Sequence, residues 1–432
     1  MPDDETRILQ PPPTAPADAR PDGLRQPADA ERARSNRGWL MVVGLVLAAL
    51  NLRPAITSLG AMMEEVRDGL GMSGSVAGLL TSAPAVCFAV FGVAAPRLAR
   101  RWGPSAVVCA GMVAIATGVL ARSFTGGTAG FLMASVLALA GIAVSNILMP
   151  VIVKSRFPDR VGQMTGVYSM GLALGTTLAA AVTVPAAGLA GGDWRIGLGL
   201  WAVLALVAVA IWLPAAAGRR NASERSGGGA DRRTTGNITR SPTAWALACF
   251  FGLQATAAYI TMGWMPQIFR DAGVSASTAG LLLAVIMGLG VPLSYVLPRI
   301  AAKMRSQSLL SLVLGACGLT GYAGLYLAPA AGSWVWAVLL GVSNCAFPLV
   351  LTLIGMRARS GAGVVRLSAF AQSAGYLISI PGPLLVGVLY QHSGGWGQPL
   401  ALMAGLMVPQ VLFGMLAGRD RVVEEELTTA RP

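Results

Sequence analysis

The chain has 432 residues, 54% of them hydrophobic and 12% charged, with 54 glycines and a formal net charge of +13. A soluble domain carries roughly 25% charged residues, so the composition excludes an ordinary soluble fold and points to a membrane protein. In a soluble chain the positive balance would raise the question of nucleic acid; here the placement of the charges answers it.

Residues 1–37 are rich in Pro, Ala, Asp and Arg with hardly any large apolar side chain. Such a segment cannot bury a core and is expected to be a disordered tail. It lacks the apolar core of a signal peptide, and the stretch that follows is long enough to stay in the bilayer. At roughly 20 apolar residues per crossing, twelve spans follow. They cover residues 39–60, 74–96, 105–122, 128–152, 163–189, 196–217, 243–268, 277–298, 309–328, 333–356, 366–390 and 397–417. GRRNASERSGGGADRRTTGNITRSP, at 218–242, interrupts the pattern after the sixth span. This linker divides two six-helix halves, 38–217 and 243–417, and a tail covers 418–432.

Lys and Arg divide unequally between the connections. One side has both tails, the linker, Arg97, Arg100, Arg101, Lys154, Arg156, Arg160, Arg299, Lys303, Arg305, Arg357, Arg359 and Arg366. The other has Arg67, Arg122, Arg195 and Arg270, while Arg53 lies inside the first span. The positive-inside rule then makes both termini cytoplasmic, and the basic excess becomes a topology signal with no nucleic-acid partner. Cys87, Cys109, Cys249, Cys317 and Cys345 fall in apolar runs without metal-ligand spacing and read as small buried hydrophobes. No metal or cofactor is expected. Neither a phosphate-binding GxxxxGK[ST], nor HExxH, nor a nucleophile–base pair occurs, which argues against an enzyme.

The halves repeat. SVAGLL at 75–80 matches STAGLL at 277–282, and the same offset pairs Pro96-Arg97 with Pro298-Arg299 and Trp194 with Trp396. VSNILMP at 144–150 matches VSNCAFP at 342–348. Parallel duplication of a six-helix unit is the signature of a secondary transporter with its substrate near the midplane. Across residues 38–418 this all-α, twelve-helix arrangement resembles the major facilitator superfamily. Within it, the chain is similar to the cyanate and 2-nitroimidazole transporter (CynX/NimT) family. That similarity rests on NLRPAITSLG (51–60), AGLLTSAPAVCF (77–88), LMPVIVKSRFPDRVGQMTGVYSMGLALG (148–175), WMPQI (264–268) and LSAFAQSAGYLISIPGPLL (367–385).

The resemblance implies a monomeric, multi-pass carrier of the bacterial cytoplasmic membrane, with a cavity lined by helices one, four, seven and ten. It also implies gating at the basic loops, through Arg97, Arg101 and Gly103 in one half and Arg299 and Lys303 in the other. PRLARRWGPS (96–105) has Arg100 where the superfamily pattern has an acid, leaving the family's gating pair without its acidic member there. Span five lacks the Gly-Pro motif of many drug/proton antiporters.

Arg53 is the main candidate. An intramembrane charge costs about 2.5–3.5 kcal/mol on insertion scales and generally faces a cavity or partner. Pro54 removes a backbone hydrogen bond and can open the helix near Asn51. Arg53 therefore either meets a substrate anion or braces the helix on carbonyls. Asn146 and Asn344, equivalent in the repeats, are expected to face each other across the pseudo-twofold axis and either bind substrate or join helices. Ser368, Gln372, Tyr376 and Ser379 form a polar stripe on span eleven. Gln254 adds an amide, and Tyr168, Tyr259 and Trp264 are candidate cavity walls. No Asp or Glu lies clearly within a span; Glu64 and Glu65, just past the first, read as a solvated outer face. A proton-driven cation exporter needs a buried carboxylate, whereas an anion facing Arg53 does not, and protons can travel on a weakly acidic substrate. Gly171 and Gly175 suit either close packing or bending. The expected partner is a small anionic or nitro-aromatic solute, with export of hydrophobic drugs as the alternative and a non-transporting sensor behind it.

Overall fold

The computed structural model describes residues 27–157, 160–217, 237–359 and 361–429. The flexible linker expected over 218–242 lies mostly outside them, as do residues 1–26 of the expected disordered tail. Two compact units result: Met1–Met41, and Val42–Pro432, which holds all helices after the first.

The first half runs α1 (Pro27–Asn51), α2 (Pro54–Ala61), α3 (Met63–Leu70), α4 (Gly74–Trp102), α5 (Pro104–Phe124), α6 (Thr128–Arg156), α7 (Val161–Leu189) and α8 (Trp194–Ala217). The second runs α9 (Pro242–Asp271), α10 (Ala276–Gly288), α11 (Gly290–Lys303), α12 (Ser308–Leu327), α13 (Ser333–Asn344) and α14 (Ala346–Met356). It continues through α15 (Gly361–Ser379), α16 (Pro381–Ser393), α17 (Gly397–Ala417) and α18 (Val423–Thr429). Among the described residues, twelve segments are long and apolar enough to cross a membrane. Outward-facing Leu189, Val203, Leu206, Leu312 and Val335 are exposed, as lipid contact requires. Helix α1 begins at Pro27, inside the stretch expected to be disordered, because ADAERAR is rich in strong helix formers although it is polar.

The duplication is visible in the helix caps. Ser73 accepts from the Val76 N–H at the start of α4, and Ser275 accepts from the Thr278 N–H at the start of α10. The halves differ in where spans break. The first span interrupts at Leu52-Arg53, the eighth near Leu289, the tenth at Cys345 and the eleventh at Ile380, each one to three residues before a proline. Pro54, Pro292, Pro348 and Pro381 cannot donate to the preceding turn. Yet Pro84, Pro150, Pro185, Pro266 and Pro409 stay inside continuous helices, so proline alone does not decide.

Within the first half α5 packs on α6 and α8; within the second α9 packs on α15 and α17. Between them α2 meets α9, α4 meets α15 and α16, and α7 meets α10. Small residues allow these approaches. A Cβ on Gly171 would stand 2.8 Å from the Ala49 Cβ, and one on Gly175 2.3 Å from the Leu50 carbonyl oxygen, so both serve close packing of α7 on α1.

Cross-half contacts gather at the end opposite the basic loops, called the far end below. Arg270 of α9 pairs with Glu64 at 2.7 Å and Glu65 at 2.9 Å on α3. These two acids are thus a clamp between halves and not the solvated face their position past the first span suggested. Asp271 beside them accepts from the Tyr390 hydroxyl (2.9 Å), Trp396 Nε1 (2.7 Å) and Gln267 Nε2 (2.7 Å).

At the basic end, the last helix is docked. Glu426 accepts from Ser241 Oγ (2.5 Å), Thr243 N (3.2 Å) and Thr243 Oγ1 (2.6 Å), placing a carboxylate at the N-terminus of α9, where the helix dipole favours it. Arg357, 2% exposed, donates to the Ala417 and Gly418 carbonyls at 2.9 and 3.0 Å. Glu426→Ala is expected to remove about 1.5–3 kcal/mol of charge-assisted bonding. Hydrogen exchange should then speed up across 423–429 while the spans keep their protection; unchanged exchange would show that α18 is held elsewhere.

Candidate functional site

The first span breaks where its charge sits. After α1 ends at Asn51, Arg53 takes a non-helical conformation (φ −125°, ψ −33°) at the N-cap of α2, with Pro54 in the first helical position. Proline is suited there, since that position has no intrahelical N–H partner to lose. The Arg53 carbonyl accepts from the Ile56 and Thr57 N–H groups at 3.0 and 3.1 Å, and its side chain makes no capping bond. The half-buried guanidinium instead lies among Tyr259 on α9, Tyr168 on α7 and Tyr376 on α15, near enough to interact with each electrostatically.

The phenols are fixed by their surroundings. Tyr259 and Tyr376 lie near enough to interact electrostatically. Tyr376 stacks on Phe88 of α4, with ring centroids 4.7 Å apart and planes 12° apart, and takes Phe251 edge-on at 5.1 Å. Tyr168 donates to Asn146 Oδ1 on α6. Spans one, two, four, five, seven and eleven, drawn from both halves, thus converge on one cation. Tyr168, Tyr259 and Tyr376 are 7%, 3% and 6% exposed. The result is a cluster of one half-buried positive charge, packed aromatic rings and buried phenol O–H groups, and the N-terminus of α2 adds to the positive field. Among the described residues no carboxylate is ion-paired with Arg53.

Other expected site residues turn elsewhere. Asn51 donates to the Leu47 carbonyl at 2.7 Å and the Leu204 carbonyl on α8 at 3.2 Å, joining spans one and six. Asn146 and Asn344 do not pair: Asn344, at the break between α13 and α14, accepts from Gln254 Nε2 at 3.1 Å. Gln254 Oε1 in turn accepts from Gln410 Nε2 at 2.7 Å, so these amides tie α9, α13 and α17. Gln372 donates to Ser368 one turn back at 2.6 Å. Trp264 is fully buried, donates to Thr81 Oγ1 at 3.2 Å, and joins Tyr390 and Trp396 at the far end.

The basic-loop residues occupy helix ends. Arg97 and Arg101 lie in the exposed last turns of α4, and the Arg101 guanidinium is 5.6 Å from the Trp102 ring centroid. Gly103 joins α4 to α5 at φ +86°, a conformation that only glycine adopts without strain. Arg299 packs over Tyr295, and Lys303 ends α11.

One functional candidate escaped the sequence reading. Arg122, assigned to a loop, lies in α5 and is 1% exposed. The helix runs two residues past the expected end, and α2 covers it. The signal was available: Arg122 continues the stripe of Met112, Ile115 and Val119, the buried face of α5. With Tyr259, Thr81, Ser135, Gly60 and Gly263, it lines a cavity of about 20 Å³, room for about one water molecule.

Comparison with known proteins places these features. The Major Facilitator Superfamily pattern matches residues 41–380. An uncharacterized transporter, YycB, of Bacillus subtilis (strain 168) is 34% identical over 390 residues, covering 89% of this chain and 94% of the relative. The 2-nitroimidazole transporter of Escherichia coli (strain K12) is 30% identical over 391 residues, 89% and 96% of the two chains. The cyanate transport protein CynX of the same organism is 31% identical over 379 residues, 86% and 97%. Among solved structures, the inward-open xylose transporter XylE from E. coli superposes with a TM-score of 0.72 at 12% identity, covering 91% of this chain and all of that one.

Proposed function

Because this chain belongs to the major facilitator superfamily and is a transporter, not an enzyme, we propose that it moves a compact anionic or nitro-aromatic solute across the cytoplasmic membrane by alternating access. The observation that carries the reading is the broken first span, which sets Arg53 among Tyr168, Tyr259 and Tyr376 without a carboxylate partner among the described residues. A half-buried guanidinium attracts negative charge, phenolic hydroxyls can donate to an anion, and aromatic faces accept a flat body. Relatives named for cyanate and 2-nitroimidazole take solutes of that kind.

The two halves rock about this site as a monomer, with both termini cytoplasmic as the basic asymmetry dictates. Any proton coupling travels on a weakly acidic solute. Asn146 orients Tyr168, and the amides of Gln254, Asn344 and Gln372 stiffen the wall behind it. The basic-loop residues Arg97, Arg101, Gly103, Arg299 and Lys303 gate the cytoplasmic end.

The test is the ligand-induced shift in Tm of the purified protein with cyanate, nitrite, nitrate, small carboxylates, 2-nitroimidazole and lipophilic cations. A solute at about one hundred times its Kd adds roughly 2.7 kcal/mol of stability. Stabilisation by anions or the nitro-aromatic, absent in Arg53→Gln, is the expected result. Stabilisation by lipophilic cations, equal in both proteins, would assign drug export.

A further inference from the structure

The cavity beside Tyr259 holds a second cation that the Arg53 site does not use. Arg122 Nη1 donates to the Ala55 carbonyl at 2.8 Å and Nη2 to Ser58 Oγ at 3.3 Å, but its buried Nε has no acceptor. Ser135, on α6 and 2% exposed, lines the same space, and its hydroxyl also lacks a partner. Among the described residues no carboxylate pairs with Arg122; on α3, which follows α2, Glu64 and Glu65 are both taken by Arg270.

A buried cation without a counter-charge is costly, and a water molecule can satisfy its N–H without neutralising it. The unsatisfied groups on these lining residues are a guanidinium N–H, which only donates, and a hydroxyl, which can donate; beside a fixed positive charge that suits a negative guest and not a metal ion. The space admits a particle of roughly one water's size. We propose that this cavity is a second anion subsite, separate from Arg53, which takes one monovalent anion of halide size. Tyr259 lines the cavity and also interacts electrostatically with Arg53, so it forms the shared wall between the two positions. The inference stands on Arg122 and Ser135 and does not require that Arg53 meet the transported solute.

The test uses the full chain in detergent at constant ionic strength, with chloride replacing gluconate as the probe and Tm as the readout. A saturable upward shift is expected in the wild type and in Arg53→Gln, and its loss in Ser135→Val, which removes the hydroxyl and fills the space with a methyl. No shift in the wild type, or a full shift in Ser135→Val, would overturn the subsite. A shift lost in Arg53→Gln would assign the chloride to Arg53 and overturn it equally, while leaving the transport reading intact. Should Ser135→Val fail to fold, bromide soaked into wild-type crystals decides: an anomalous peak between Arg122 and Ser135 supports the site, and peaks only elsewhere refute it.

Discussion

Arg53→Gln is expected to reduce saturable uptake in proteoliposomes to the protein-free background while the protein folds and purifies normally. Removing one member of a desolvated charge pair costs about 2–5 kcal/mol, roughly a 30- to 4,000-fold loss of affinity. The fold should tolerate the change. Glutamine removes an intramembrane charge that itself costs about 2.5–3.5 kcal/mol. The competing role for Arg53, as a brace, predicts the opposite pattern: a lower Tm with uptake retained by the protein that survives. Measuring Tm and uptake on one preparation separates them, and uptake above about one tenth of wild type would remove Arg53 from the substrate site.

The second large effect is expected at Gly60 on α2. A Cβ there would lie 1.7 Å from the Met262 carbonyl oxygen and 2.8 Å from its carbon, with the Gly263 Cα at 3.0 Å. These are backbone atoms of α9, in the other half, so no flexible side chain can give way. Gly60→Ala must push α2 and α9 apart, and overpacking of this kind costs about 1–3 kcal/mol. If the far-end closure is one of two states, that cost shifts their ratio by roughly 5- to 150-fold toward the far-end-open form. Met63→Cys, at a position 1% exposed on the cavity wall, reports it. Its labelling by an impermeant maleimide should accelerate at least about fivefold in the Gly60→Ala background, with transport falling in parallel. Unchanged labelling with full transport would mean that this approach is not part of the cycle.

Both effects depend on arrangements the sequence showed only in part. Arg53-Pro54 was legible as a charge beside a helix breaker, since both residues are anomalous in an apolar run. That Tyr168, Tyr259 and Tyr376 would surround it was not, because they lie on three spans separated by more than 90 residues. Asn146 and Asn344 show the limit of repeat symmetry. Equal places in the duplicated motif give unequal partners, because α6 is continuous while the tenth span breaks at Cys345. Glu64, Glu65 and Arg122 lie at or past the ends of apolar runs, and that position says nothing about which helix covers them.

The sequence by itself showed the twelve apolar spans, the uneven placement of lysine and arginine among the connections and the motifs repeated at a nearly fixed offset. Each is legible in local composition: apolar length matches the bilayer, lysine and arginine can be counted connection by connection, and repeated motifs survive as strings. Tertiary structure alone decided which prolines interrupt a helix, which polar groups meet, and that Arg122 is enclosed. These outcomes depend on which helix faces lie together, where a polar group in a dry interior must take whatever partner the neighbouring backbone presents.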